Sequence, residues 1–126
     1  MAKSFRLNCD TLVSGVALTT ALFCFGKLDS NGKVIPCSVS GESSVGIIQE
    51  NPDAADREVP VAYMGSISKL TVAGALAVGT LISTNTSGKG IAATTGHNVL
   101  AKTLEASTAD GDVISVLVLS PGIIAP

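Results

Sequence analysis

Aromatic residues are scarce in this chain of 126 residues, which has no tryptophan, one tyrosine and three phenylalanines. The hydrophobic fraction is nevertheless 46%, so alanine, valine, leucine and isoleucine must make up most of the core. A core of small aliphatic side chains offers a bound ligand few anchors.

Charge is also scarce, because Asp, Glu, Lys and Arg make up 14% of the chain and the formal net charge is −2. Typical globular domains carry about 25% charged residues. Nucleic-acid binding relies on clustered Lys and Arg, and this chain has no basic run, so we expect no direct contact with nucleic acid. A small domain with so little charge cannot cover its whole surface with polar side chains. We infer that other subunits cover part of that surface.

The residue types that perform chemistry are few. His97 is the only histidine and lies in a turn, where a solvated surface residue is a simpler interpretation than a catalytic base. A zinc site would have too few ligands, and Asp53, Asp56 and Glu58 lack the regular spacing of a calcium loop. No Gly-x-Ser-x-Gly elbow is present, and the SGKG run at Ser87–Gly90 lacks the first glycine of a phosphate loop. We therefore predict no enzyme activity, no cofactor and no metal.

The three cysteines, Cys9, Cys24 and Cys37, form an odd set without a CxxC pair. Reduced thiols in a cytosolic product are the simplest interpretation. Cys24 and Cys37 flank the Asn31-Gly32 turn, so a disulfide between neighbouring strands is one alternative. Packing as small buried hydrophobic groups is the other.

No hydrophobic run is long enough to span a membrane. The longest one, Leu70–Ile82, is short and is broken by Gly74 and Gly79. Residues 1–26 loosely imitate an export signal, but Asp10 interrupts the approach to the apolar part and no small-x-small cleavage site follows. We expect no membrane partner and no export, with synthesis in the cytoplasm.

Short apolar segments recur between glycine-rich turns about every 8–12 residues, which is the spacing of β-sandwiches and β-barrels. This pattern predicts an all-β chain that forms one small β-barrel or β-sandwich, jelly-roll-like or tulip-like, with negligible helix. We assign residues 1–20 to an extended N-terminal arm or edge strand. Residues 21–120 form the barrel or sandwich domain, and residues 121–126 form a C-terminal tail.

The longest strand candidate is EVPVAYMGSISKLTV, which begins at Glu58. Period-two alternation puts four residues on one face, Val59, Val61, Tyr63 and Ile67. Gly65 interrupts this pattern and predicts a bulge or a tight bend. The run AGALAVG then turns the chain into a second strand, TLIST.

Six further strands are predicted, at Ala21–Leu28, Val34–Val39, Val45–Gln49, Gly90–Ala93, Val99–Ala106 and Asp112–Leu119. Asn31-Gly32 predicts a hairpin between the first two, because both residues tolerate positive φ. Pro36 predicts that the second of them lies at a sheet edge.

Several short motifs follow one another in a specific order over residues 22–119. A KLD-x-x-GKV hairpin at Lys27–Val34 precedes a GI-hydrophobic-Q-x-x-P turn at Gly46–Pro52. A strand with Val59, Val61, Gly65 and Lys69 follows, then a connection with Ala73, Gly74 and Gly79, and finally Leu104, Glu105, Ala106, Gly111 and Asp112 before an apolar strand. This order resembles the small capsid cement, or head decoration, proteins of tailed bacteriophages.

The resemblance implies a non-enzymatic structural protein of the virion that sits on the capsid surface as a homotrimer. There it would bridge neighbouring subunits of the major capsid protein and stabilise the shell against packaged DNA. A trimer gains strength from multivalency, because three linked weak contacts give far higher avidity than one.

The terminal segments fall outside the region of resemblance, and we predict that they contact the shell or neighbouring subunits. Phe5 and Leu7 alternate with Arg6, as in a strand that adds to a sheet edge. Ile123 and Ile124 lie between prolines with no local apolar partner. A frayed terminus is the alternative.

Two other functions stay open at this point. One is a small β-barrel module that binds a ligand or a carbohydrate, which exposed aromatic side chains would favour. The other is a minor subunit of an enzyme, which the missing catalytic residues disfavour.

Overall fold

The computed structural model describes residues 7–119 and 123–126, and all regular structure in this part of the chain is β-strand. The strands are β1 (Cys9–Val13), β2 (Phe25–Leu28), β3 (Val34–Pro36), β4 (Gly46–Ile48), β5 (Glu58–Ala62), β6 (Ile67–Ala73), β7 (Leu81–Thr84), β8 (Gly90–Ala92), β9 (Ala101–Thr103) and β10 (Asp110–Val118). The prediction of a small all-β fold is confirmed. The strands form two five-stranded bodies that pack together.

The first body, which we call the sheet, has the strand order β1-β5-β4-β2-β3 with antiparallel neighbours. It curls until its edges meet at one point, where Ser14, directly after β1, bridges to Val34 of β3. The Gly15 N–H donates to the Val34 carbonyl there, at 2.8 Å. Pro36 lies in the edge strand β3, as predicted, and a proline at an edge leaves no ladder hydrogen bond unmade.

The second body is a closed barrel with the order β10-β6-β8-β7-β9, in which β9 pairs again with β10. Its described strand pairs are antiparallel except β6 and β8, which meet at Val72 and Gly90. Gly90 permits the close approach, because a Cβ atom there would lie 2.7 Å from Leu70 Cδ2 and 3.1 Å from Ile82 Cγ2. The barrel interior is thus filled by side chains of the neighbouring strands.

Two clusters of buried side chains form the core, and one of them joins the two bodies. The sheet cluster lies inside the curl and contains Leu18, Ala21, Cys24, Val34, Ile48, Val59 and Val61. The barrel cluster also takes in residues from the sheet side, Phe25, Cys37, Ile47 and Ala62. Adjacent residues of β4, Ile47 and Ile48, therefore belong to different clusters, as strand alternation requires. The sheet is consequently buried on both faces at β4.

The segment predicted as one interrupted strand is two strands in different bodies, with β5 in the sheet and β6 in the barrel. The chain turns at residues 63–66, where Gly65 has φ +87° and its N–H donates to the Val118 carbonyl. Gly65 is therefore a turn residue and not a bulge. The turn also resets the alternation, so the prediction that Ile67 shares the buried face of Val59 is wrong. Ile67 is half-buried, and the inward positions of β6 begin at Ser68.

Residues 7–20 belong to the folded body, although the sequence favoured an arm that extends to residue 20. β1 pairs with β5 along its whole length, from Cys9 opposite Ala62 to Val13 opposite Glu58. Leu18 is 1% exposed and packs in the sheet cluster. The edge-strand alternative describes β1, because pairing satisfies backbone groups that a detached arm would leave to solvent.

The hairpin predicted at Asn31-Gly32 is present and joins β2 to β3. Only Gly32 adopts a positive φ, +75°, while the Asp29 carboxylate accepts hydrogen bonds from the Asn31 and Lys33 N–H groups. The preceding strand is shorter than predicted and begins at Phe25. Residues 18–24 form turns instead, since the Ala21 N–H donates to the Leu18 carbonyl.

Candidate functional site

An apolar cleft of about 440 Å³ opens between the sheet and the barrel. Six segments build it. From the sheet side come the residue before β1, one residue of β2, the start of β4 with the two residues before it, and the two residues after β5. From the barrel side come the residue before β9 and the end of β10 with the residue after it. The lining residues are Asn8, Phe25, Ser44, Val45, Gly46, Tyr63, Met64, Leu100, Val118 and Leu119.

Burial separates the lining into a floor, walls and a rim. Phe25 is fully buried, and Leu100 and Val118 are each 5% exposed, so these side chains form an apolar floor. Val45, Tyr63 and Leu119 are half-buried walls, whereas Asn8 and Met64 are exposed at the rim. Phe25, Leu100 and Val118 all belong to the barrel cluster, which contains residues of both bodies. The floor of the cleft is therefore part of the close-packed core.

The polar groups of the lining are few, and some are already engaged. The Ser44 hydroxyl donates to the Gly46 carbonyl at 3.1 Å and accepts the Gly46 N–H at 2.9 Å. The Asn8 N–H donates to the Ser66 hydroxyl at 2.7 Å. Two groups, the Tyr63 hydroxyl and the Asn8 side-chain oxygen, have no hydrogen-bond partner among residues 7–119 and 123–126.

Tyr63 stays neutral at ordinary pH. Burial raises the pKa of Tyr63 above its usual value, and electrostatic repulsion from the nearby Asp10 carboxylate and Cys9 thiolate raises it further. Its hydroxyl can therefore both donate and accept a hydrogen bond in the cleft.

The sequence analysis did not find this cleft. Its lining comes from short segments spread over more than 110 positions, Asn8 to Leu119, and no local motif marks them. The one usable signal was Tyr63, the only tyrosine, on a predicted strand face. Assembling the cleft requires knowing that β5 and β10 lie in different bodies.

His97 has a structural environment instead of the solvated one that its turn position suggested. Its Nδ1 atom lies 2.8 Å from the Ser83 hydroxyl and accepts the Thr94 N–H at 3.3 Å. The half-buried ring packs so closely on Gly41 that a Cβ atom at residue 41 would overlap it. Ser83 is fully buried, so a substrate could not reach its hydroxyl. This pair secures the turn before β9, where Asn98 N–H also bonds to Gly41.

All three cysteines are free thiols, and Cys24 and Cys37 are each 1% exposed. The β2–β3 register, with Gly26 opposite Pro36, places Phe25 opposite Cys37, so the two thiols do not face each other across the hairpin. Their side chains pack in different clusters, that of Cys24 in the sheet cluster and that of Cys37 in the barrel cluster. Burial raises the pKa of Cys37 to about 12, with a further contribution from the Glu42 carboxylate.

The described part of the chain contains no group of three or more His, Cys, Asp or Glu residues that could hold a metal ion. The three acidic residues of the predicted loop, Asp53, Asp56 and Glu58, are exposed. Asp56 forms an ion pair with Lys33, which lies in the β2–β3 hairpin. Over the same residues, no helix is long and apolar enough to cross a membrane.

The predicted contact residues at the C-terminus are pinned to the domain by their backbone. The Val99 N–H donates to the Ile123 carbonyl at 2.7 Å, and Ile124 bridges to Asn98. The side chains of Ile123 and Ile124 are nevertheless 43% and 55% exposed. At the other end Leu7 is 44% exposed, whereas Phe5 and Arg6 lie outside the described residues. The segment 123–126 thus presents two apolar side chains on a fixed backbone.

A second exposed apolar set lies on the outside of the barrel, and we call it the β7–β9–β10 face. Leu81 is opposite Lys102, and Leu104 donates its N–H to the Ser115 carbonyl, two residues from Val113 on the same side of β10. Leu81, Leu104 and Val113 are between 38% and 42% exposed. Their inward neighbours, such as Ile82 and Ile114, fill the barrel, so alternation forces these three outward.

A scan against models of protein families finds no match to this chain, and a search of curated proteins finds no significant match.

Proposed function

We propose that this protein is a non-enzymatic structural component of a phage virion. It binds the outside of the capsid as a homotrimer and stabilises the shell by bridging subunits of the major capsid protein. The observation that carries the proposal is a rigid all-β framework that holds many large apolar side chains in solvent. They are Leu7, Val13, Val16, Leu28, Val39, Met64, Val78, Leu81, Leu104, Val113, Ile123 and Ile124.

A surface with so many exposed apolar side chains favours association with other subunits. Single exposed apolar side chains are common, but a chain with 14% charged residues has few polar groups to rim them. The order of motifs over residues 22–119 supports the same class of protein. We assign the trimer contact to the β7–β9–β10 face, and the shell contact to Phe5, Arg6 and Leu7 together with Ile123 and Ile124.

The trimer is tested by sedimentation equilibrium of the purified protein. We expect a trimer for the wild type and a monomer for the double variant Leu104→Asp with Val113→Asp, because buried charges in an apolar interface lose hydration without a partner. The control is Leu28→Asp, which changes a side chain that is 47% exposed on β2 of the sheet. A wild-type monomer at the highest attainable concentration would contradict the trimer.

The shell contact is tested with empty heads assembled from the major capsid protein encoded in the same genome. Electron microscopy of heads mixed with this protein should show added density at three-fold positions. The double variant Ile123→Ser with Ile124→Ser should bind heads more weakly without unfolding, because backbone groups hold that segment. The N-terminal counterpart is Phe5→Ser with Leu7→Ser. If heads mixed with the wild-type protein show no added density, the proposal is wrong.

A further inference from the structure

The cleft between the sheet and the barrel has the dimensions of a small-molecule site. Its volume of about 440 Å³ falls within the range of roughly 300–1,000 Å³ that ligand pockets occupy. An occupant would contact the accessible parts of Leu100 and Val118, which are each 5% exposed, whereas Phe25 is fully buried and offers it no surface.

The lining restricts the charge of an occupant. Among the residues that the structure describes, none of those that line the cleft is Asp, Glu, Lys, Arg or His. A charged group on this floor would lose hydration with no opposite charge from the described lining residues to replace it, and that loss weakens binding. The site therefore selects against carboxylates, phosphates and ammonium groups.

Two neighbouring residues of the described lining supply polar contacts, and they are adjacent because the Tyr63 N–H donates to the Asn8 carbonyl at 2.8 Å. Tyr63 and Asn8 stand next to the rim, and each keeps a side-chain oxygen without a partner among the described residues. The Tyr63 hydroxyl can donate or accept, and the Asn8 oxygen can accept. We propose that this cleft binds an uncharged, mostly apolar small molecule whose single hydrogen-bonding end meets Tyr63 and Asn8.

The test uses two fluorescent probes that share one aromatic body. N-phenyl-1-naphthylamine is uncharged, has about 17 non-hydrogen atoms and carries one N–H donor, so it suits a site of this size. Its 8-sulfonate analogue adds a negative charge. We expect saturable binding of the uncharged probe at one site per chain, and at least about tenfold weaker binding of the sulfonate.

Binding is located by labelling the methionine methyl groups with ¹³C, since the chain has two methionines and Met64 is at the rim. The Met64 methyl signal, assigned with Met64→Leu, should shift as the uncharged probe saturates. Because the chain has no tryptophan, fluorescence excited at wavelengths longer than the tyrosine band comes from the probe and not from the protein.

Two variants and one matched control test the residues. Val45→Phe fills a half-buried wall and should lower the affinity for the probe at least about tenfold. Tyr63→Phe removes one hydroxyl and should lower it about threefold to tenfold, the worth of a net hydrogen bond. Val39→Phe makes the same change as the first variant at a 57% exposed residue outside the cleft, and should leave affinity unchanged.

Three results would overturn the proposal. They are no saturable binding of the uncharged probe, equal affinity for both probes, or equal affinity of wild type and Tyr63→Phe together with an unmoved Met64 signal. The last two would indicate adsorption to exposed apolar side chains. None of them bears on the capsid role, because the measurements need neither heads nor a trimer.

Discussion

The buried thiols are the residues at which burial most directly sets reactivity. The thiolate is the reactive form, and burial raises the pKa of both Cys24 and Cys37. Cys9 is exposed on β1, although partial burial also raises its pKa. We expect a disulfide reagent at pH 8 to modify one thiol per native chain and three after unfolding, counted by mass spectrometry. Cys9→Ser should abolish native labelling, and rapid reaction of two thiols in the native protein would contradict this assignment.

The Glu42 carboxylate is the residue that should make stability depend on acidity. Partial burial opposes its charge, but hydrogen bonds from the Val39 and Ser38 N–H groups and the Lys27 ammonium outweigh this and hold the pKa of Glu42 below its usual value. Both backbone N–H groups lie 2.7 Å from its Oε2 atom, and Lys27 Nζ lies 3.0 Å from Oε1. The carboxylate thereby closes the loop after β3 onto β2.

A lowered pKa stabilises the fold above the unfolded-state value of 4.5, and this contribution is lost as pH falls through the lower folded-state value. Glu42→Gln should therefore lower the free energy of unfolding by about 1–3 kcal/mol at pH 7. The difference from wild type should shrink steadily below pH 4.5 in urea titrations. Glu50→Gln is the control, because Glu50 is exposed and has no hydrogen bond to the described residues. An unchanged difference down to pH 3 would contradict the assignment.

At the scale of strands, the approach of β4 to β5 depends on one glycine. A Cβ atom at Gly46 would overlap the Ala62 carbonyl oxygen and lie 2.9 Å from Val61 Cγ1. Backbone cannot move aside as a flexible side chain can, so Gly46→Ala must separate the two strands. We expect a loss of at least about 3 kcal/mol in the free energy of unfolding, measured by urea denaturation.

Gly74 supplies the matched control for that prediction. Apart from its two chain neighbours, no described residue has an atom within 4 Å of the position of its Cβ, and its φ is not positive. Gly74→Ala should change stability by no more than about 0.5–1 kcal/mol, and in the stabilising direction, because alanine restricts the unfolded chain. Equal losses for the two variants would show that the close approach at Gly46 is not what limits this sheet.

Local patterns predicted the strands well because alternation and turn chemistry act over a few residues. Asn31-Gly32 and Pro36 were predicted in the correct role, and a strand was predicted where β10 lies. Gly65 could not be interpreted locally, since a bulge and a tight turn both place glycine between two alternating runs. What decides between them is the partner of its N–H, which is Val118, more than fifty positions away.

The same limitation applies to whatever depends on the arrangement of the two bodies. β1 was hard to separate from a free arm because its residues are mostly exposed, and only its pairing with β5 assigns it to the sheet. The cleft required both bodies to be placed, and the β7–β9–β10 face required the order of strands in the barrel. The sequence showed no local apolar partner for Ile123 and Ile124, and their side chains are exposed, but it did not predict their backbone attachment to Asn98 and Val99.

For the whole molecule, the shared strand β4 predicts one cooperative unit and not two. Ile47 packs in the barrel cluster and Ile48 in the sheet cluster, and both are fully buried. If the two bodies fold together, Ile47→Ala and Ile48→Ala should each lower the same transition by about 2–5 kcal/mol. Two probes separate the bodies, namely the fluorescence of Tyr63 beside β5 and amide hydrogen exchange at Leu70 and Val72 within the barrel.

We expect both probes to report one midpoint in urea for wild type and for each variant, because coincident transitions are the signature of two-state unfolding. The Ile48→Ala variant is decisive, since its cavity lies on the side of β4 away from the barrel. Under cooperative folding it must speed amide exchange in β6 by the amount that its own loss of stability predicts, as Ile47→Ala must. If Ile48→Ala instead lowers the Tyr63 transition while Leu70 and Val72 keep their wild-type protection, the sheet unfolds independently. The contact of Phe25 and Ala62 with the barrel cluster would then be too weak to couple the two bodies.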